Sequence, residues 1–544
     1  MALASGLRGD ALRALLLGLL ILALGLVLAQ WPLLWATALV SGSIGCLLLL
    51  LHPTWGLIPL LLTVPLARLG GLTAAGMRIS PAEMMLVGVL LAWMIQMAAQ
   101  RQIRFPHPPL LLPFLLFLGA MLASMPGALS LGAGAKELIK WGSMLGVYLF
   151  VAARVQRRHL GLVVGAILTA GCGQAALGVY QFFTARGPEW FLLFDRFMRA
   201  YGTFEQPNPY GGYLGLTLPL AVALMFDICH LRFHRVWPGS GGSAPKDDVS
   251  GSYTRQRSSF DLKARIGRLA ALGALLLMLV ALAMSWSRGA WLGFGAAMLT
   301  MIAAHGRRMA RLRLRQTSVS SVEASSAEPS PKSAILTGAA MGVLILALLL
   351  SSARLLPPTL AQRFAGLSVY LTVGDVTTTE VTEANYAVIE RLAHWQAALR
   401  MWADHPWRGV GIGNYPVVYP SYGLPHWPQP LGHAHNYYLN IGAEAGLVGL
   451  LFYLIFSISA LWQAFRATQM TTGLRRAVAL GALGALVHLT VHSLFDNLYV
   501  HTMYLQIAVL LGLLAVISPH HPPKGGKSGE GAGFSINRLK GSLV

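Results

Sequence analysis

The sequence predicts an all-α fold: a polytopic transmembrane helical bundle of about 12–14 spans, at ~20 residues each, with one large ordered loop on its outer face. Three observations carry this. Of 544 residues, 55% are hydrophobic and 11% charged, with a mean hydropathy of +0.59, whereas an ordinary globular protein has about 25% charged residues; a soluble enzyme is excluded. Apolar stretches of spanning length recur along the chain. Finally, the excess of 41 Lys+Arg over 20 Asp+Glu, a net +21, falls mostly in alternate loops, as the positive-inside rule requires of a membrane protein. Because the basic residues form no single patch, no nucleic-acid partner is expected.

The first run, 11–30, follows Arg8 and includes Arg13; it is too long for a cleaved signal core and reads as a span. Runs at 33–51, 54–72, 82–99, 108–126, 136–153, 160–183 and 209–230 follow, the third interrupted by Pro65 and Arg68 and the sixth carrying Lys136, Glu137 and Lys140. A second group lies at 267–286, 289–304, 334–352, 436–464, 475–495 and 499–518. With both termini cytoplasmic, Arg101 and Arg104, then Arg154, Arg157 and Arg158, then Arg466, Arg475 and Arg476 all lie inside. Stretches 238–259 and 316–333 are rich in Gly, Ser and Pro and lack apolar periodicity, so they read as disordered cytoplasmic linkers, as does the tail 519–544. The organisation is therefore helices 1–11 within 1–352, an outer loop at 353–434, helices 12–14 within 435–518, and the tail. The outer loop holds Trp395, Trp402, Trp407 and Trp427 and a helical pattern over 385–403, signs of an ordered segment resting on the bundle. Cys46, Cys172 and Cys229 lie in or beside apolar runs and read as packing residues.

Three polar clusters fall on the outer side. The first is RAYGTFEQPNPYGGY from Arg199 to Tyr213; the prolines and glycines suit a rigid start to a helix, and Arg199 is a fixed cation at the membrane surface. The second is SWSRGAWLG from Ser285 to Gly293. Arg288 stands there in a two-residue break between spans, on the side the charge rule disfavours, where it either snorkels or holds a phosphate. The third is GHAHNYYLNIGAEAGLVG from Gly432 to Gly449. His435, with an ordinary pKa near ~6.5, is suited to act as a general base, and Glu444 within the membrane requires a polar interior or an arginine partner. Gly442, Gly446 and Gly449 suit close helix packing. His433 raises a metal alternative with His394, His405 or His426, but no carboxylates are obviously placed to help; no metal and no cofactor are expected.

These residues resemble the O-antigen ligase and Wzy-type polymerase superfamily, membrane glycosyltransferases of a GT-C-like kind. The ligase pattern H-[NSQ]-x9-G-x-x-[GTY] is met at His435, Asn436, Gly446 and Gly449, and R-x3-L at Arg288 and Leu292; GTF-x-x-PN ending at Asn208 and HPWRGVGIGNY from His405 to Tyr415 are also similar. The resemblance implies a bacterial inner-membrane enzyme with its site on the periplasmic face. Its donor would be a polyprenyl (undecaprenyl) diphosphate-linked glycan and its acceptor a hydroxyl on a lipid or glycan, with membrane lipids as its surroundings. It implies His435 as base and Arg288 on the donor diphosphate, with Arg391 the best match for a second arginine, ahead of Arg400 and Arg408, and Arg199 as a third. Asn436, Glu444, Asn208, Asn414 and Tyr415 are supporting residues. Since the only adjacent acidic pair, Asp247-Asp248, falls in a cytoplasmic linker, the transfer is expected to be metal-independent and inverting. A Wzy-type polymerase on the same donor is the alternative. A transporter using Glu444, Asp227 and Asp496 would instead need an internal repeat, and none is found.

Overall fold

The computed structural model describes residues 33–74, 77–101, 105–193, 197–236, 252–317, 376–382 and 385–518. It is a helical membrane protein with almost no sheet. The expected spans at 11–30 and 334–352, the tail, most of both linkers and Asp247-Asp248 lie outside the described residues, as does the side chain of Asp227.

The first half comprises α1 (Leu33–Leu51), α2 (Leu57–Thr63), α3 (Pro81–Ala99), α4 (Leu111–Ala123), α5 (Leu131–Arg154), α6 (Leu160–Thr184) and α7 (Pro207–Val236). The second comprises α8 (Ser252–Met284), α9 (Arg288–Thr317), α10 (Tyr386–Asp404), α11 (Tyr415–Val418), α12 (Tyr437–Met470), α13 (Gly473–His492) and α14 (Met503–Ile517). Two short antiparallel hairpins, Leu72–Ala74 with Met77–Ile79 and Leu192–Leu193 with Phe197–Met198, interrupt the helices. Among the described residues, five helical segments are long and apolar enough to cross a membrane, and five shorter apolar segments accompany them. Exposed Leu447, Leu451, Ile455, Ile458 and Trp462 on α12 form the kind of apolar surface that lipid covers.

Three local expectations change. The run 54–72 is helical only as far as Leu66: α2 is flanked by 3-10 turns at Pro53–Gly56 and Val64–Leu66, each with a proline in its first two positions. Helix α8 begins at Ser252, inside the stretch read as a linker, because residues 252–266 contain neither glycine nor proline to stop a helix nucleated by the apolar run. The break at Arg288 spans residues 285–287, with Trp286 at φ 52°. The charged start of α5 is accommodated by an ion pair, Lys140 Nζ to Glu137 at 2.6 Å. Cys172 is half-buried, but Cys46 lies on an exposed face rather than in packing.

Helices α7, α9 and α13 meet at the centre through glycines. A Cβ at Gly215 or Gly293 would overlap the ring of His488, and one at Gly212 or Gly289 would stand 3.3 Å from the ring of His492. These close approaches bring the N-terminal ends of α7 and α9 to the C-terminal end of α13. That junction is where the polar clusters converge.

Candidate active site around His435 and Asp496

The site is built on a broken helix. Within α12, Gly446 adopts φ 65°, ψ −167°, a conformation essentially restricted to glycine. Breaking a helix in a membrane leaves backbone groups that need partners, and the HPWRGVG segment supplies them. Val410 N donates to Ala443 O at 2.8 Å and Gly411 N to Glu444 O at 2.9 Å, while Leu447 N donates to Pro406 O at 2.8 Å. A Cβ at Gly446 would lie 2.2 Å from the Trp407 carbonyl carbon, and one at Gly409 2.3 Å from that of Glu444. Gly446 is therefore a docking point for the loop, not the helix-packing glycine expected; Gly442, against the Trp402 ring, does serve close packing.

The same loop fixes Asn414 and Tyr415. Asn414 is fully buried and clamps Ser130, its Oδ1 accepting from Ser130 N at 2.7 Å and its Nδ2 donating to Ser130 O at 3.1 Å. Tyr415 N donates to Glu444 Oε1 at 2.9 Å, so of the two arrangements expected for the buried Glu444 it is the polar interior that occurs; no ion pair of Glu444 occurs among the described residues. The Tyr415 hydroxyl lies 2.9 Å from Nδ1 of His394 on α10, whose ring stacks on Tyr419.

His435 sits immediately before α12. Asn436 is the N-cap, its Oδ1 accepting from Tyr438 N and Leu439 N at 3.0 and 3.1 Å, and Tyr437 N is tied to Ser493 O at 2.8 Å. His435 is held at φ 52°, and Trp286, Leu431, His501 and Thr502 also have positive φ. Such strain persists only where the surroundings determine it. Asp496, just past α13 and 5% exposed, faces two imidazoles: His433 Nε2 and His435 Nδ1 each lie 3.6 Å from its Oδ1. The two rings are 4.4 Å apart, and His394 is 5.8 Å from His435.

The protonation states follow from this geometry. Burial alone would raise Asp496, but His435, His433 and Arg391 hold it well below the usual carboxylate range. Burial and the neighbouring His435 push His433 down to about 3, and the same two causes push His394 to about 4. His433 Nδ1 accepts the His435 backbone N–H at 3.0 Å, so the proton of neutral His433 resides on Nε2, toward Asp496. Atoms of His433, His435 and Asp496 approach one another closely enough, within 4.8 Å, to hold a metal ion. Coordination through His433 Nε2 would however strip that ring of its only proton while Nδ1 is engaged, so the donor set fits an electrostatic His–Asp cluster better than a metal centre. His435, with Nδ1 turned to the carboxylate, keeps Nε2 for an incoming hydroxyl.

The expected arginines divide clearly. Arg391 on α10 acts electrostatically on Asp496, His433 and Glu390, placing it at the cluster, whereas Arg400 and Arg408 are exposed. Arg199 donates through Nε to Ser285 O and through Nη2 to Asn208, both at 3.0 Å. It therefore binds the turn that leads into Arg288, the first residue of α9, and Gly289 is the residue that meets His492. Asp496 is the residue whose role sequence reasoning missed, having considered it only for a transport path. Its spacing from His488 and His492, at i+8 and i+4, was the available signal.

No curated protein matches the chain. Residues 273–454 match the family model Wzy_C, described as O-Antigen ligase. That segment contains Arg288, Arg391, the docking loop, His435 and the broken helix, and the fold adds Arg199 and Asp496 from outside it. The protein is thus a polytopic membrane protein in which residues 273–454, about a third of the chain, are similar to the O-Antigen ligase family.

Proposed function

We propose that the chain is a ligase-type glycosyltransferase that moves a glycan from a polyprenyl diphosphate to an acceptor hydroxyl at the periplasmic face of the bacterial inner membrane, both termini being cytoplasmic. The observation that carries this is the pairing of His435 Nδ1 with the buried Asp496 carboxylate, 3.6 Å away, within the field of Arg391. Nε2 of His435 takes the acceptor proton as the acceptor oxygen forms its bond to the anomeric carbon. The bond from that carbon to the diphosphate oxygen breaks, and the electron pair leaves with the polyprenyl diphosphate. One displacement inverts the anomeric carbon. Asp496 orients His435 and stabilises the imidazolium, as a carboxylate does for a histidine base. The leaving group needs positive charge, which Arg288, Arg391 and Arg199 supply without a metal. Asn208 holds Arg199, Asn436 caps the helix behind His435, and Asn414, Tyr415 and Glu444 hold the loop.

The test is transfer by purified protein from an undecaprenyl diphosphate-linked glycan to lipid and glycan acceptors. Product with the opposite anomeric configuration to the donor supports the reading. Retention of configuration, or ion flux without transfer, contradicts it.

A further inference from the structure

A cavity of about 430 Å³ opens beside the His435 cluster, between the first turns of α5, the start of α11 and the first turns of α12. This is within the range of small-ligand sites, ~300–1,000 Å³. His433 forms part of its wall, and the His433 ring lies 4.4 Å from that of His435, so a ligand seated there is one side chain from the base. Resting on the glycosyltransferase reading above, we infer that this cavity is the acceptor subsite and that it takes an uncharged sugar residue of the acceptor.

The electrostatics separate it from the donor. None of Arg199, Arg288 and Arg391 lines it; its charged wall residues are Lys136, Glu137 and Glu444, and Glu137 is engaged with Lys140. With Glu137 already paired to Lys140 and none of the three arginines present, the wall offers a diphosphate a single lysine, whereas its mixed donors and acceptors suit a polyol, whose hydroxyls both donate and accept. Asn440 and Asn497 add amide groups to the wall. Tyr437, 3% exposed, also forms part of the wall, with its hydroxyl buried toward Trp141. The three elements that form the cavity are held together by the Asn414–Ser130 clamp and the Tyr415–Glu444 bond, which gives those buried polar residues a common purpose.

Gly132 lines the cavity and is exposed on the first turn of α5. A Cβ there meets nothing closer than Ser130 Oγ at 4.0 Å, so a large side chain can enter the cavity without disturbing the His435 cluster. Saturation-transfer NMR on the full-length protein in nanodiscs, with free hexose and N-acetylhexosamine disaccharides as probes, reads occupancy without requiring turnover. The expected result is transfer of saturation to sugar protons in the native protein and in Arg288→Ala, its loss in Gly132→Trp, and its retention in Gly132→Ala. In the glycan-transfer assay, Gly132→Trp should raise the acceptor KM at least tenfold and leave the donor KM within twofold. Absence of sugar binding to the native protein, displacement of the sugar by inorganic diphosphate, or a rise in donor KM alone overturns the assignment. Sugar binding that Gly132→Trp abolishes, in a protein that transfers no glycan, would leave the subsite standing and reject the transferase reading instead.

Discussion

Replacing Gly446 by alanine tests the junction on which the site is built. The native conformation, φ 65° and ψ −167°, costs a residue with a side chain about 1–3 kcal/mol. The new methyl would also lie 2.2 Å from the Trp407 carbonyl carbon and 2.4 Å from Arg408 N, distances that only movement of the loop can relieve. Movement forfeits the bonds at Val410, Gly411 and Leu447, each worth roughly 1 kcal/mol net. The sum, about 4–6 kcal/mol, approaches the whole net stability of many proteins, ~5–15 kcal/mol. Gly446→Ala should therefore unfold well below the native protein in a detergent melt and lose at least ~100-fold in glycan transfer. Gly142→Ala, where a Cβ meets nothing within 4 Å, should match the native protein in both assays. Gly409→Ala attacks the same junction from the loop side, so the double variant with Gly446→Ala should cost clearly less than the two single costs added. Native-like stability and activity of Gly446→Ala, or strict additivity of the pair, would refute the docking-point account.

Other consequences can be measured in the same system. His433 and His394, lowered to about 3 and about 4, become charged only as pH falls through those values and are neutral from about pH 5 upward. His433→Asn and His394→Asn should thus change the rate but leave the shape of the pH–rate profile between pH 5 and 8 unaltered; loss of an acid limb in either variant would assign the base to that residue. Asn414→Ala removes three hydrogen bonds at a fully buried site and should destabilise the protein by about 2–3 kcal/mol, visible as a lowered melting temperature; an unchanged melt would deny the clamp its role. Arg391→Lys keeps the charge but loses the planar fork, and should lower kcat more than Arg400→Ala or Arg408→Ala, whose exposed side chains predict activity within about twofold.

The bundle was legible because its signals are additive over many residues: runs of ~20 apolar side chains and a charge bias by loop survive local exceptions. Helix α10 was legible for the same reason, its amphipathic pattern running over almost its full length. Backbone conformation was not. Nothing in AEAGLVG distinguishes a helix-packing glycine from one that breaks the helix, because the distinction rests on the Pro406–Gly411 segment about 40 residues earlier. His435 and Arg288 stood out as polar residues at membrane boundaries, and Arg391 as a motif position. Asp496 was visible as a membrane carboxylate, but its role depends on α13 delivering it to His435, a tertiary contact without a local signature. The cavity was invisible for a similar reason, since its walls come from segments separated by some 280 residues, joined through Asn414 and Ser130.

In the proposed function His435, oriented by Asp496 and aided by arginines rather than a metal, is the base for glycan transfer. Single-turnover transfer from an undecaprenyl diphosphate-linked glycan, measured for the native protein with and without chelator and for His435→Ala and Asp496→Asn, tests it most directly. The expected results are unchanged turnover with chelator, near-complete loss in His435→Ala, and a fall of at least ~100-fold in Asp496→Asn with donor binding retained. Product formed at the native rate by His435→Ala, or abolished by chelator in the native protein, would contradict it.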